Sequence, residues 1–331
     1  MAIKLYPLKF NLRLHDKIWG GERIFQYKNI AKTSDELGES WEISPMNGNV
    51  SVVSNGEYAG TNLNDLVAQD PVSFLGKHVV ERFGSEFPLL IKMIDANENL
   101  SVQVHPGDEF ALKHHDSKGK TEMWYVLDAT EDAVIYVGWK RDVNPDELHK
   151  IIDSGELIDY IHEYHVAPGD TFFIPAGTVH AIGKGCLVME IQEASDITYR
   201  LYDYKRKDSQ GRERELHVEE SAKVLNYAAT GSENVRYDRE SKEPGKELVS
   251  CPYFKTSLLQ FSSQEVLSLA ERDSFTVLFC VEGDCRVVTG VETVQLSKGE
   301  SLLLPAKLSD CTIEPLETHT KLIESYVPRQ A

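Results

Sequence analysis

Residues 168–180 read PGDTFFIPAGTVH, and this stretch decides the fold. Pro168 and Gly169 make a tight turn, since proline presets one backbone angle and glycine reaches conformations closed to other residues. Thr171 to Ile174 is a short β-branched and aromatic run, as a strand requires. Pro175 and Gly177 then turn the chain so that the side chain three residues on, His180, points inward. A His after a turn is ordinarily a core or surface residue. The spacing here, Pro-Gly, five residues, Pro-x-Gly, two residues, His, is far more specific than a lone His.

Working outward, the flanking segments also read as short strands. PLLIKMI (88–94), LSVQVH (100–105), EMWYVLD (122–128), AVIYVGW (133–139) and LVMEIQ (187–192) are rich in β-branched and aromatic residues. Asn97 with Asn99, Pro106-Gly107 and Gly183 with Gly185 supply turns between them. Helical pieces interrupt the strands. Asn144 is placed as an N-cap, with Pro145 at the first helical position and Leu148, Ile151 and Ile152 as an apolar stripe. A second short helix is expected over 156–164, and others over 62–68 and 218–227.

Two of these strands present polar faces that a plain barrel interior does not explain. Alternation puts Ser101, Gln103 and His105 on one face, with Val102 and Val104 on the other. Taken alone, this is the pattern of a half-buried strand with its polar face in water. Glu122 opens an otherwise apolar strand and shares a face with Lys120, which by itself suits a solvated strand end.

Together with PGDTFFIPAGTVH, these segments resemble the two motifs of the cupin superfamily, whose second motif ends in a metal-binding His. The resemblance implies a mainly β fold of jelly-roll barrels and a metal at Gln103, His105, Glu122 and His180. The gap of seventeen residues between His105 and Glu122 then holds an inserted loop or short helix. Two nitrogen and two oxygen ligands suit a borderline divalent ion such as Zn²⁺, with Fe²⁺, Mn²⁺ or Co²⁺ as other candidates. Three or four protein ligands leave a position open for water or substrate, the mark of a catalytic site.

Lys92 sits inside the apolar PLLIKMI, where a lysine must snorkel, pair or serve a ligand. Arg200 lies in ITYRLYDY (197–204), and on the residues alone a pair with Asp196 or Asp203 is the favoured reading. Neither residue is assigned by its surroundings.

SVQVHPGDEFA, GKTEMWYVLDA, PAGTVHAIGKG and ITYRLYDYKR together resemble type I phosphomannose isomerases, and the length is similar to the short bacterial branch. KIWGG (17–21) and GESWEIS (38–44) match as well. The resemblance runs from about residue 6 to 227. It implies a metal-dependent aldose–ketose isomerase that interconverts mannose 6-phosphate and fructose 6-phosphate through a cis-enediol, with one Zn²⁺ per chain. It also implies Arg200 and Lys120 as catalytic groups, and Lys92, Ser101 and Lys120 as substrate-binding, with Lys92 and Ser101 at the phosphate. The proton-carrying base stays open among Lys120, a water on the metal, and Glu190 or Glu193.

In the C-terminal part, KGESLLLPA (298–306) repeats the Gly, five residues, Pro portion of the motif. No Gly-x-x-His follows, and no His-x-His precedes it in that block. A bicupin is therefore expected: a metal-binding unit over 1–229 with helical insertions, a polar linker or surface loop over 230–247, and a metal-free cupin-like unit over 248–331.

Composition sets the outer limits. The 331 residues carry 35 basic and 53 acidic side chains, a formal charge of −18. That argues against nucleic acid and anionic membranes as partners, and leaves a small-molecule substrate. Five scattered cysteines, an odd number without a CxxC pair, suit a reducing compartment. With no apolar h-region at the start, a cytoplasmic protein is the expectation. The competing readings are another cupin enzyme, either an Fe²⁺ dioxygenase or a cupin-type glucose-6-phosphate isomerase, and a non-catalytic sugar-binding cupin.

Overall fold

The computed structural model describes residues 3–207, 210–231, 233–239, 245–308 and 310–329. The fold is mainly β, a bicupin of two packed sheet pairs. The first pair joins a seven-stranded sheet to a five-stranded one. Its large sheet runs Arg13–Gly21, Leu37–Ile43, Leu89–Ala96, Cys186–Glu193, Glu122–Ala129, Thr171–Ile174, Asn234–Val235. Its small sheet runs Tyr199–Tyr202, Val102–Val104, His180–Ile182, Val134–Trp139, Ile161–His165. All the named pairings are antiparallel.

Period-two alternation decides what each face does. On the large sheet, the odd-numbered residues Ile91, Met93, Met123, Tyr125, Leu187, Met189 and Ile191 pack outward into an apolar cluster. That cluster also holds Leu248, Phe254, Phe275, Leu303 and Ile323 of the second sheet pair, so the two barrels share one core. The even-numbered residues face into the first barrel. Ile94, Trp124, Val126, Cys186 and Val188 fill one end of it with Ile135, Val137 and Ile182 from the small sheet. Lys92, Glu122 and Glu190 share that inner face in register, Glu190 opposite both Lys92 and Trp124. A strand buried on both faces, as Leu89–Ala96 and Cys186–Glu193 are, reads as a near-continuous apolar run, and so the charges inside it stand out.

On the small sheet the outer face is apolar. Val102, Val104, Ala181 and Leu201 pack under Leu148, Ile151 and Ile152 of the helix Leu148–Ser154. The inner face carries Gln103 opposite His180 and opposite Arg200. Gly177, at φ 86°, closes the turn that delivers His180; a Cβ there would lie 2.9 Å from the Val224 carbonyl oxygen. Its amide donates to the His105 carbonyl, tying the two His-bearing segments together.

The second barrel repeats this order strand for strand. Its five-stranded sheet, Gly245–Ser250, Lys255–Phe261, Thr320–Tyr326, Thr276–Glu282, Ser301–Leu304, matches the five inner strands of the first large sheet. Its four-stranded sheet, Glu265–Leu267, Cys311–Pro315, Cys285–Val288, Thr293–Leu296, matches the small sheet without the strand that bears Arg200.

Local expectations meet the structure at several points. Asn144 caps the Asp146 amide, and a 3₁₀ turn, Pro145–Glu147, leads into Leu148–Ser154. Residues 156–164 are not a helix: a 3₁₀ turn, Leu157–Tyr160, gives way to the strand Ile161–His165. Its alternating exposure along the edge of the sheet outweighs the local helical pattern. The insertion after His105 holds the helix Asp108–His115. Within 230–247, Asn234–Val235 pairs with Thr171 and Phe172, and Tyr237 donates to the Gly169 carbonyl, so part of that stretch lies along the sheet edge. Residues 232 and 240–244 lie outside the described residues. Residue Leu8 pairs with Leu303, placing the start of the chain on the second barrel.

Candidate active site

His105, Glu122 and His180 converge inside the first barrel, with one ligand atom from each within 4.8 Å of the others. All three are buried, Glu122 and His180 completely. His105 Nδ1 lies 2.8 Å from the Ile197 carbonyl oxygen, and His180 Nδ1 lies 2.8 Å from that of Thr178. A carbonyl only accepts, so each Nδ1 carries the proton and each Nε2 keeps a lone pair. The two Nε2 atoms stand 3.1 Å apart and cannot both accept from each other. Burial holds both imidazoles below their usual range, His180 down to about 4, so they are neutral near pH 7.

Glu122 completes the trio. Its Oε2 is 3.4 Å from His105 Nε2 and its Oε1 is 3.4 Å from His180 Nε2. Lys120 Nζ lies 3.0 Å from Oε2, at ion-pair distance, yet neither carboxylate oxygen has a partner in hydrogen-bonding geometry. Burial pushes the Glu122 carboxyl up to about 8, against the pull of Lys120. Two buried carboxylate oxygens without a hydrogen-bond partner, beside two imidazole lone pairs, are costly without a cation. A divalent ion fits this set, and carbonyl-anchored imidazoles are the usual support for metal-binding His. The Gln103 amide, 3.2 Å from His180 Nε2, can turn its oxygen toward the same point.

Beside the trio lies a cavity of about 440 Å³, and Gln103 and Lys120, which contact His180 and His105, line it. Gln103, Ser101, Lys120, Lys92 and Arg200 all line it, so the eight residues singled out from the sequence meet at one place. Ser101 Oγ is 3.5 Å from Gln103 Oε1. Lys120 Nζ is 3.2 Å from His105 Nε2. Lys92 neither snorkels nor stands free: its Nζ pairs with Glu190 Oε2 at 3.2 Å and lies 5.1 Å from the Trp41 ring centre. Arg200 pairs with neither Asp196 nor Asp203; its Nη1 donates to the Glu215 carbonyl at 2.9 Å, and its Nε is a buried donor with no partner.

Comparison with known proteins places this geometry. Residues 7–132 match the catalytic domain of phosphomannose isomerase type I, and residues 245–327 match the cupin domain of mannose-6-phosphate isomerase. The chain is 37% identical over 318 residues to a mannose-6-phosphate isomerase from Streptococcus mutans, covering 95% of this chain and 98% of that one. It is 36% identical over 311 residues to a Bacillus subtilis mannose-6-phosphate isomerase, covering 93% and 96%. The chain belongs to the type I phosphomannose isomerase family. A crystal structure of the mannose 6-phosphate isomerase from Bacillus subtilis superposes with a TM-score of 0.86 at 32% identity, over 96% of this chain and 99% of that one. The trio of His105, Glu122 and His180, a group that could hold a metal ion, thus sits in a type I phosphomannose isomerase fold.

Further residues line the cavity, among them Glu190, one of the candidate bases left open by the sequence, and Glu39, not singled out there. Glu39 accepts from the Trp41 indole at 2.7 Å and lies 3.5 Å from Lys17. Though buried, it is held below the usual carboxylate range by Lys92 and Lys17. Glu190 accepts from the Trp124 indole at 3.0 Å, and despite its burial Lys120 and Lys92 pull its carboxyl down to about 2. Trp19, His15 and Arg214 line the walls. The segments KIWGG and GESWEIS pointed at the first group only through family resemblance; nothing local marked Arg214.

Proposed function

We propose that this protein interconverts mannose 6-phosphate and fructose 6-phosphate, using Zn²⁺ held by His105, Glu122, His180 and Gln103. The observation that carries the reading is the convergence of buried His105, Glu122 and His180, with both Glu122 oxygens lacking a hydrogen-bond partner, next to a cavity lined by lysines and arginines. Names of relatives that span nearly the whole chain agree with it.

The reaction moves a proton between C1 and C2 of the open-chain sugar, and negative charge develops on the enediol oxygens. A metal held by His105, Glu122, His180 and Gln103 would supply Lewis-acid chemistry at the sugar carbonyl. Lys120, beside His105 and Glu122, places a fixed positive charge at the same end of the cavity. Arg200, in register with Gln103, adds a second, whose unpartnered Nε is a donor ready for substrate. Lys92 and Ser101 line the wall and bind sugar oxygens.

Of the two carboxylates open for proton transfer, Glu190 lines the cavity and keeps Oε2 without a hydrogen bond, whereas Glu193 takes the Thr121 amide at 2.8 Å and does not line it. Glu190 is therefore the better placed of the two, although Lys120 and Lys92 hold its carboxyl low and make it a weak proton acceptor, and Lys120 is the alternative. The test is a coupled isomerase assay on mannose 6-phosphate, before and after chelation and after return of Zn²⁺. Full turnover in metal-stripped protein would remove the metal from the mechanism. Turnover of glucose 6-phosphate in place of mannose 6-phosphate would move the protein to another isomerase class.

A further inference from the structure

The two walls of the cavity differ in charge balance. On one wall, Lys92 and Lys17 face Glu190 and Glu39, two cations against two carboxylates at ion-pair distances. His15, beside them, is kept neutral by burial. That wall has no charge to spare for a dianion. On the other wall, Arg200 and Arg214 line the cavity together. No carboxylate lies within ion-pair distance of Arg200 among the described residues. Asp196, also on this wall, is exposed and screened by water. The nearby Asp203 is buried, and it must serve Arg214 and Arg206 at once.

Arg214 is held as a receptor group would be. Its Nε and Nη2 both donate to the Asp203 carboxylate, at 2.6 and 2.5 Å, a two-point clamp that fixes the guanidinium plane. Its Nη1 has no protein acceptor among the described residues. Arg206, on the same carboxylate, donates to the Asn99 carbonyl, which anchors the turn next to the cavity residues Leu100 and Ser101. The turn itself contains two consecutive non-glycine residues in the left-handed region, Tyr204 at φ 56° and Lys205 at φ 51°. Such a conformation is costly and persists where its surroundings enforce it. Half-buried guanidiniums that repel each other, as Arg214 does Arg200, are a poor arrangement in an empty site and a good one around an anion.

We infer that Arg214 is a substrate-binding residue: on the wall it shares with Arg200 it receives the phosphate of the sugar phosphate, while Asp203 positions its guanidinium. This rests on the sugar-phosphate reading above, and it moves the phosphate from the Lys92 wall, where the family resemblance put it, to the arginine wall. Phosphate favours this partner because a planar guanidinium offers paired donors to its oxygens.

The experiment measures KM and kcat for mannose 6-phosphate, inhibition by inorganic phosphate, and calorimetric binding of inorganic phosphate, in wild type, Arg214→Ala, Arg214→Lys and Lys92→Met. Arg214→Ala should raise KM and weaken phosphate binding on the order of tenfold or more, with kcat at saturation far less affected, since remote binding energy is lost. Arg214→Lys should recover part of the phosphate affinity, because it keeps charge without the fork. Lys92→Met should leave phosphate binding unchanged. If folded Arg214→Ala keeps KM and phosphate affinity within about twofold of wild type, or if Lys92→Met is the variant that loses phosphate, the inference fails. Should Arg214→Ala not fold, Arg214→Lys carries the test: wild-type phosphate affinity in it, with no loss relative to arginine, overturns the proposal. A wild-type protein that binds phosphate through Arg214 yet does not isomerise mannose 6-phosphate would sink the functional reading and leave this one standing.

Discussion

The two barrels share a strand order and differ in what their interiors hold. Strand register lets the comparison run residue by residue. Glu122 faces Ile174, the residue before Pro175; in the second barrel Thr276 faces Leu304, the residue before Pro305. Trp124 faces Phe172 and Glu190, and Leu278 faces Leu302 and Glu324. Thr276 thus stands where Glu122 does, Leu278 where Trp124 does, and Glu324 where Glu190 does. The second interior is otherwise apolar, with Leu259, Leu278, Cys280, Val287, Leu302 and Leu322 packed together. Its one retained acid is neutralised by Arg272, which reaches Glu324 at 2.5 Å and Thr276 at 3.1 Å, where the first barrel uses Lys92 from the adjacent strand. The lesson is that the fold does not require the polar interior. A jelly roll closes equally well around leucine, so the charges that line the first barrel's cavity are not needed to close the fold.

The largest effect should come from removing a ligand. His180→Ala should lose the metal and lower turnover at least about a thousandfold, since metal polarisation and the aligned positive groups go together. Metal analysis and the coupled assay read both. Glu324→Gln, the matching intrusion into the second barrel, should leave metal content and kcat as in wild type; a deficit there would break the comparison. Next in size, Arg200→Ala should keep the metal and cut kcat by roughly a hundredfold to a thousandfold, the range for loss of one preorganised charge. An unchanged kcat would remove Arg200 from the chemistry. Among the described residues the second barrel has no counterpart of its strand, so this residue marks the difference between a site and a scaffold.

How far could this be read from residues alone? The fold and the convergence of His105, Glu122 and His180 were legible because their signals are local. The turn spacing around His180, the alternation of Ser101, Gln103 and His105, and the inward step from Lys120 to Glu122 are written over a few positions each. The charge networks were not, because they depend on register between distant strands. Lys92 meets Glu190 across ninety-eight positions of sequence, by antiparallel pairing of Leu89–Ala96 with Cys186–Glu193. Arg214 comes from a segment with no periodicity at all, and Glu39 reaches the cavity from the second strand. Residues 156–164 misled because LIDYIHEY satisfies both a helical and an alternating pattern, and only the free edge beside Val134–Trp139 decides between them.

The Arg272–Glu324 pair allows the comparison to be sharpened on stability. Both side chains are largely shielded, at 15% and 5% exposure. Arg272→Ala leaves a buried carboxyl without its partner, and should cost about 3–5 kcal/mol, read as a fall in denaturation midpoint. Joint replacement by Arg272→Met and Glu324→Leu should recover most of that loss, because an apolar interior already surrounds the pair. The same joint treatment of Lys92 and Glu190 in the first barrel should abolish turnover. A second barrel in which the joint variant stays as unstable as Arg272→Ala would mean that Glu324 has a function of its own.

The smallest effect concerns an acid that the first barrel buries for architecture. Glu193 accepts the Thr121 amide at 2.8 Å, one residue before Glu122, and faces Asp108, which itself takes the Gly119 amide and the Tyr253 hydroxyl. Burial, followed by the Asp108 charge, pushes the Glu193 carboxyl up to about 8. In the unfolded chain it titrates near 4.5. The folded protein therefore binds a proton that the unfolded chain has released across that interval. Stability from this group is fully present below about pH 4.5 and drains away as pH rises to about 8. Glu193→Gln imitates the protonated form, keeping an acceptor for the Thr121 amide and a donor toward Asp108. It should match wild type near pH 5 and melt higher than wild type at pH 8 to 9. Parallel pH dependence of the two melting temperatures would show that Glu193 is ionised at neutral pH, and that its pairing with Asp108 is not what fixes the approach to Glu122.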